Sequence, residues 1–234
     1  MTTGRAAPPS QPPRSVASRF SDHWTLRDSE AKTQAIAAYD VNDGGMLRDK
    51  GINYDPSGET GRFAKAGFSA HLSYSAKTGT YYLAFRGTER TDLRDWWADV
   101  TQGFGFKTDQ YDQAILLARE VRGKLAGAKL IVTGHSLGAG MAAAASYAVG
   151  VDAILFNPPS LNATYRQGNP GTIRSQIIVG DILSVGRTLS NGIPDTSMAN
   201  PNLRFAPGRI ILHLPRSVNI YGPFGFHSMH QYPD

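Results

Sequence analysis

The stretch that most constrains this chain runs from Lys129 to Ala145, KLIVTGHSLGAGMAAAA. An apolar run, Leu130-Ile131-Val132, stops at Thr133-Gly134, a Gly-His-Ser-Leu-Gly pentapeptide follows, and a small-residue helix is expected from Leu137 to about Val149. The pattern is strand, sharp turn, helix, with Ser136 at the corner. Such a turn holds its central residue in a strained backbone conformation and leaves no room for side chains on either flank, which Gly134 and Gly138 satisfy. The strain pushes the serine hydroxyl out above the sheet edge, where a histidine can reach it from one side and an ester carbonyl from the other. The first turn of the helix aims backbone N–H groups and a positive dipole end at the point where an oxyanion would form.

The remaining chain is long enough to bury a full core around that turn. Residues 21–234 read as one domain, with 41% hydrophobic and 18% charged residues in the whole sequence. Residues 1–20 read as a disordered leader, rich in proline, arginine, serine and alanine, with no acid before Asp22 and no apolar segment of the Sec type. Three readings of the leader stay open: a solvated tail, an organelle transit peptide, or the unfolded leader of a protein exported by a specialised bacterial secretion system. No run of 18 apolar residues occurs, so no membrane span is expected. The net charge of +5 is spread along the chain. It suits a solvated basic surface or attraction to anionic lipid, and no nucleic-acid recognition motif accompanies it. The absence of cysteine excludes disulfides, thiolate metal sites and cysteine nucleophiles together.

In chain order, a weakly amphipathic helix is expected from Asp28 to Tyr39, ending at the turn cluster Asn42-Asp43-Gly44-Gly45. Phe68–Tyr74 and Thr80–Phe85 alternate as two strands of a hairpin around Ala76-Lys77-Thr78-Gly79. From Glu89 to Gln110 the chain is polar yet carries Trp96, Trp97, Phe104 and Phe106, which either cover a helix end or form a lid that meets acyl chains. A long helix from about Thr108 to Leu125 leads into the serine turn. Further buried strands are expected at Ala153–Phe156, Ser175–Val179 and Arg209–Leu214. This alternation makes an α/β domain with a mostly parallel central sheet and helices on both faces, its function at the carboxyl ends of the strands.

A serine hydroxyl becomes a competent nucleophile when a histidine takes its proton and a carboxylate fixes that imidazole in one tautomer. Ser136 is followed by Asp181, just beyond an apolar strand and a glycine, and then by His227 and His230 in the C-terminal tail. Asp152 and Asp195 are competing acids. His213 lies within an apolar strand and His135 adjoins the nucleophile, so both read as structural. The two tail histidines lack an HExxH pattern or cysteine partners, so no metal and no cofactor is expected.

Taken together, Ala84-Phe85-Arg86-Gly87-Thr88, Gly134-His135-Ser136-Leu137-Gly138-Ala139, Gly180-Asp181 and His227-Ser228-Met229 resemble the class 3 lipases, the fungal-lipase-like branch of the α/β-hydrolases. The likeness covers roughly residues 30–232 and rests on four motifs in the right order. It implies an α/β-hydrolase fold and a Ser136, Asp181, His227 triad, with His227 favoured over His230. It also implies an oxyanion hole from Thr88 and Leu137, and a lid in the segment after Thr88. Two features depart from the pattern: Asp181 is followed by Ile182-Leu183-Ser184 rather than an early proline, and the disulfides of secreted fungal members are missing. Some bacterial members of the wider group are phospholipase effectors, which implies a lipid substrate at a membrane surface and leaves room for a chaperone or immunity protein as partner. The expected activity is cleavage of lipid acyl esters by a lipase or phospholipase. The competing readings are a soluble short-chain esterase or acyltransferase, and a non-catalytic binding protein on the same fold.

Overall fold

The computed structural model describes residues 24–40, 43–55, 63, 68–87, 109–159, 161–178, 203–204, 209–213, 229 and 232–233. The leader, the aromatic segment with Trp96, Trp97, Phe104 and Phe106, and Thr88, Asp181, Asp195, His227 and His230 lie outside the described residues.

The strands are β1 (Ala70–Ser75), β2 (Thr80–Phe85), β3 (Leu130–His135), β4 (Asp152–Phe156), β5 (Leu161–Asn162), β6 (Ile173–Ile178), β7 (Leu203–Arg204) and β8 (Arg209–His213). A six-stranded sheet runs in the order β1, β2, β3, β4, β6, β8. Within it the β1–β2 hairpin is antiparallel and every other neighbouring pair is parallel. The short strands β5 and β7 form a separate antiparallel pair that sequence periodicity did not reveal.

Helices cover both faces, and side-chain alternation along the strands sorts which residue meets which helix. Tyr82, Ile131, Ile154, Phe156 and Ile178 pack against Ala31 and Ala35 of α1 (Leu26–Ala37). Leu83, Phe85, Val132 and Leu155 point the other way, into the core built with α2 (Asp109–Lys124) and α3 (Leu137–Val149). Helix α3 is buried along Leu137–Tyr147, wedged between the sheet and α2. That explains its run of Gly and Ala: a Cβ on Gly140 would collide with the Tyr111 hydroxyl of α2.

Helix α1 begins two residues earlier than its periodicity predicts. Thr25 is its N-cap, and a capping box joins it to Asp28: the Asp28 N–H donates to Thr25 Oγ1 at 3.3 Å, and the Asp28 carboxylate accepts from the Thr25 N–H at 2.7 Å. The other predicted helices and strands among the described residues appear within one or two residues of their expected ends, the scatter normal for frayed termini.

Candidate active site

Ser136 occupies the N-cap of α3 at φ 57° and ψ −126°. A conformation of this kind costs an L-residue about 1–3 kcal/mol and persists when its surroundings over-determine it. Here the Ser136 N–H donates to the Phe156 carbonyl of β4 at 3.0 Å, and its carbonyl accepts from Ala139 and Gly140 at 3.0 and 3.2 Å. Backbone also crowds both flanks. A Cβ on Gly134 would collide with the carbonyl group of Gly138, and one on Gly138 with the carbonyl of Phe85 at the end of β2. The Gly-x-Ser-x-Gly spacing is therefore a packing requirement of the corner.

A third glycine closes the arrangement. Gly87, just past β2, lies so close to the His135 carbonyl and the Tyr39 hydroxyl that a side chain would clash with both. Tyr39, just beyond the end of α1, is hydrogen-bonded to His135 Nδ1 at 3.2 Å, so His135 supports the turn as its sequence position suggested. Ser136 itself is fully buried, and its Oγ makes no hydrogen bond to any described residue. The N–H groups at the start of α3, beginning with Leu137, have no acceptor within the helix, as at every helix N-terminus.

The carboxyl ends of the next strands are tied to this corner. Asn157 follows β4 at φ 44°, its N–H donating to the Gln176 carbonyl at 2.9 Å and its Oδ1 accepting from the Ile178 N–H at 3.0 Å. The end of β6 is thereby fixed beside the end of β4. His213, read as interior to its strand, is in fact the last residue of β8, paired with Ile178 at the same sheet edge. Asp152 is at the other edge: it opens β4 opposite Ile131, and its Oδ1 accepts from the Thr172 N–H at 2.9 Å. Its position removes it from the competing acids. A cavity of about 470 Å³ also lies at that amino-terminal edge, lined by Thr25, Arg27, Ile131, Asp152 and Arg174 among others, so it is remote from Ser136.

Beneath α1 runs a polar network that sequence reasoning missed. Asp28 is fully buried and accepts from Arg174 Nη2 at 2.8 Å and Gln176 Nε2 at 2.7 Å, both on β6, in addition to its capping bonds. One turn on, Lys32 Nζ donates to the carbonyls of Tyr232 and Pro233 at 3.2 and 3.0 Å. Tyr232 is fully buried, donates to the Gln176 carbonyl at 2.9 Å, and sets its ring 5.0 Å from that of Phe156 and 6.2 Å from that of Trp24. The Thr25-x-x-Asp28 cap is a local pattern that the sequence carries; the pairing of Lys32 with Tyr232, 200 residues further on, is not. Among the described residues no group of three or more His, Asp or Glu side chains could hold a metal ion.

Comparison with known proteins gives this geometry its context. The chain is 32% identical over 178 residues to an extracellular phospholipase A1 of Serratia liquefaciens, an alignment that takes in 68% of this chain and 54% of that protein. The chain thus spans about half the length of the curated relative it matches. Among solved structures, a triacylglycerol lipase from Penicillium expansum aligns with a TM-score of 0.50 at 17% identity, over 85% of this chain and 81% of that one. Lipase II from Rhizopus niveus aligns with a TM-score of 0.49 at 19% identity, over 83% of each chain. The Penicillium likeness and the mostly parallel sheet identify the fold as that of the α/β-hydrolases. The Tle-like phospholipase domain model matches residues 57–184, just over half of the chain and inclusive of the Ser136 corner, and the chain belongs to that family.

Proposed function

We propose that this protein is a serine ester hydrolase that cleaves acyl esters of lipids, phospholipids foremost, through an acyl-enzyme. The observation that carries the reading is the backbone of Ser136, held at positive φ between β3 and α3 with its hydroxyl uncommitted to any described residue. A side chain there gains nothing for the fold, whereas a nucleophile gains a helix N-terminus beside it.

In this mechanism Ser136 Oγ attacks the acyl carbonyl carbon while His227 takes the hydroxyl proton and Asp181 orients and stabilises the resulting imidazolium. The tetrahedral oxyanion accepts hydrogen bonds from the N–H groups of Leu137 and Thr88. Collapse expels the alcohol, which leaves with the proton from His227. Water, deprotonated by the same imidazole, then attacks the acyl-enzyme, and the fatty acid departs as Ser136 recovers its proton. Two features of the fold support these roles. The chain leaves β6 at Ile178, three residues before Asp181, from the sheet edge that carries Ser136. It also leaves β2 against the elbow at Gly87, one residue before Thr88.

Full burial of Ser136 means that substrate reaches it only once covering residues shift. The segment with Trp96, Trp97, Phe104 and Phe106 is our candidate cover, and its aromatic side chains would meet acyl chains or the lipid surface. Residues 21–234 then act as one catalytic domain behind the leader. No helix among the described residues is long and apolar enough to cross a membrane. Export of this protein belongs to the same reading, supported by the Serratia relative being an extracellular enzyme, and an exported effector would call for a chaperone or immunity protein as partner.

The test is hydrolysis of phospholipid vesicles and of a soluble short-chain ester by wild type, Ser136→Ala, His227→Ala and His230→Ala. We expect vesicle lipid to be cleaved, the first two variants to be inactive and the third to retain turnover. Equal rates on monomeric ester and vesicles would replace the lipase reading by that of a soluble esterase. Wild-type turnover in Ser136→Ala would refute the nucleophile.

A further inference from the structure

Lys32 is a buried lysine facing the final residues of the chain. Taking an ammonium out of water is costly unless its donors find acceptors. Packing alone would favour an apolar side chain here, since Ala31, Ala35, Trp24 and Phe156 belong to the same region. The ammonium supplies what an apolar group lacks, donors aimed at the Tyr232 and Pro233 carbonyls. From the other side Tyr232 donates to the Gln176 carbonyl, and Gln176 Nε2 donates to Asp28 on α1. Helix α1, strand β6 and the tail are thus joined by one continuous set of hydrogen bonds.

Resting on the reading of a tail histidine as general base, we propose that Lys32 and Tyr232 are positioning residues, a strap that holds the C-terminal tail and so aims the catalytic imidazole at Ser136. Met229 and Tyr232, both buried, bracket His230 and follow His227 by two and five residues. Two residues of extended chain span at most about 7 Å, so the buried Met229 is the described point of the tail that bounds the reach of His227. The strap also grips β6, the strand that leads to Asp181, so acid and base are referred to a common support. A purely structural strap would lower stability when cut and leave the chemistry of the folded enzyme untouched, and that difference is measurable.

The experiment measures kcat, KM and the pH dependence of kcat/KM on a soluble short-chain ester for wild type, Tyr232→Phe, Lys32→Met and, as a stability control elsewhere on α1, Glu30→Gln. Thermal unfolding of each variant is recorded alongside. Because small misplacements of a catalytic group cost up to about a hundredfold, we expect kcat to fall about tenfold or more in both strap variants with KM within about twofold. The acid limb of the profile, which reports the base, should shift in the strap variants and stay put in Glu30→Gln. If Lys32→Met does not fold, Tyr232→Phe, which removes one hydroxyl, decides between the two roles. Folded strap variants with wild-type kcat and an unmoved acid limb would overturn the proposal. The reading of the base is judged separately by His227→Ala and His230→Ala. If neither loses turnover, that reading fails and the strap role goes with it; if either does, the strap variants alone distinguish positioning from simple support of the fold.

Discussion

Asp28→Asn isolates the polar network that fastens α1 to the sheet. The carboxylate is fully buried and receives five donors: the Thr25 N–H and hydroxyl on Oδ2 at 2.7 and 2.5 Å, Arg174 Nη2 on Oδ2 at 2.8 Å, and Arg174 Nε and Gln176 Nε2 on Oδ1 at 3.2 and 2.7 Å. An amide of the same shape offers one oxygen, and its NH2 must replace the other. Placed at Oδ2, the NH2 faces the Thr25 N–H and Arg174 Nη2; placed at Oδ1, it faces Arg174 Nε, while Gln176 can turn its own amide. At least one donor meets a donor in either case, and the Arg174 guanidinium loses the charge of Asp28. Each buried group left unsatisfied costs about 1–3 kcal/mol, and breaking a buried ion pair about 3–5 kcal/mol. The Arg174 side chain is 21% exposed, so water recovers part of that loss, and about 3 kcal/mol remains as the expected effect. For a domain of this size that corresponds to a fall in Tm of roughly 6–12 °C, read by circular dichroism. A double-mutant cycle with Arg174→Met should return a coupling above about 1 kcal/mol. A drop below about 2 °C in Asp28→Asn would refute the view that this network anchors the helix.

Three further outcomes follow from the same structure. Burial pushes the Glu30 carboxyl upward, but hydrogen bonds from the Ser75, Tyr82 and Thr78 hydroxyls and the nearby charge of Lys77 outweigh it and leave its pKa below the ordinary 4.5. Its contribution to stability is therefore present above pH 4.5 and lost as pH falls through the lower folded value, so Glu30→Gln should flatten the acid side of a urea-denaturation pH profile. Gly138→Ala sets a Cβ against the Phe85 carbonyl in a central strand, and overpacking of this kind costs about 1–3 kcal/mol, visible as lost thermal stability together with lost turnover. Burial raises the Tyr165 phenol to about 12, helped by the charge of Asp112, and burial also raises Tyr82 and Tyr111, so spectrophotometric titration should show a late-ionising tyrosine component that is smaller by one residue in Tyr165→Phe.

Features that depend on neighbours in the chain are the ones the sequence makes legible. The serine corner is one, because the strain, the flanking glycines and the helix start all lie within Gly134–Gly138, and the structure shows the clashes that forbid side chains there. The β1–β2 hairpin is another: its strands pair from Ala70 with Phe85 to Ser75 with Thr80, although His71 is buried and Tyr74 exposed against the expected alternation. The partners of Asp28 and Lys32 are not legible, because a polar residue in an amphipathic helix carries no sign of being buried, and its partners sit 146 to 201 residues away. The Asn157-Pro158-Pro159 segment marks the stop of β4, but the role of the Asn157 side chain emerges only once β6 lies alongside. Asp152 is a plausible acid by composition alone, and only the direction of its strand places it at the amino-terminal edge.

The central claim is that Ser136 becomes acylated. Incubating the protein with a lipid-like phosphonate ester in the presence of phospholipid vesicles, followed by digestion and mass spectrometry, tests it directly. The account predicts one adduct per chain, on the peptide that contains Ser136, formed in step with loss of vesicle hydrolysis and absent from Ser136→Ala. An adduct on another residue, or full inhibition with Ser136 unmodified, would contradict it.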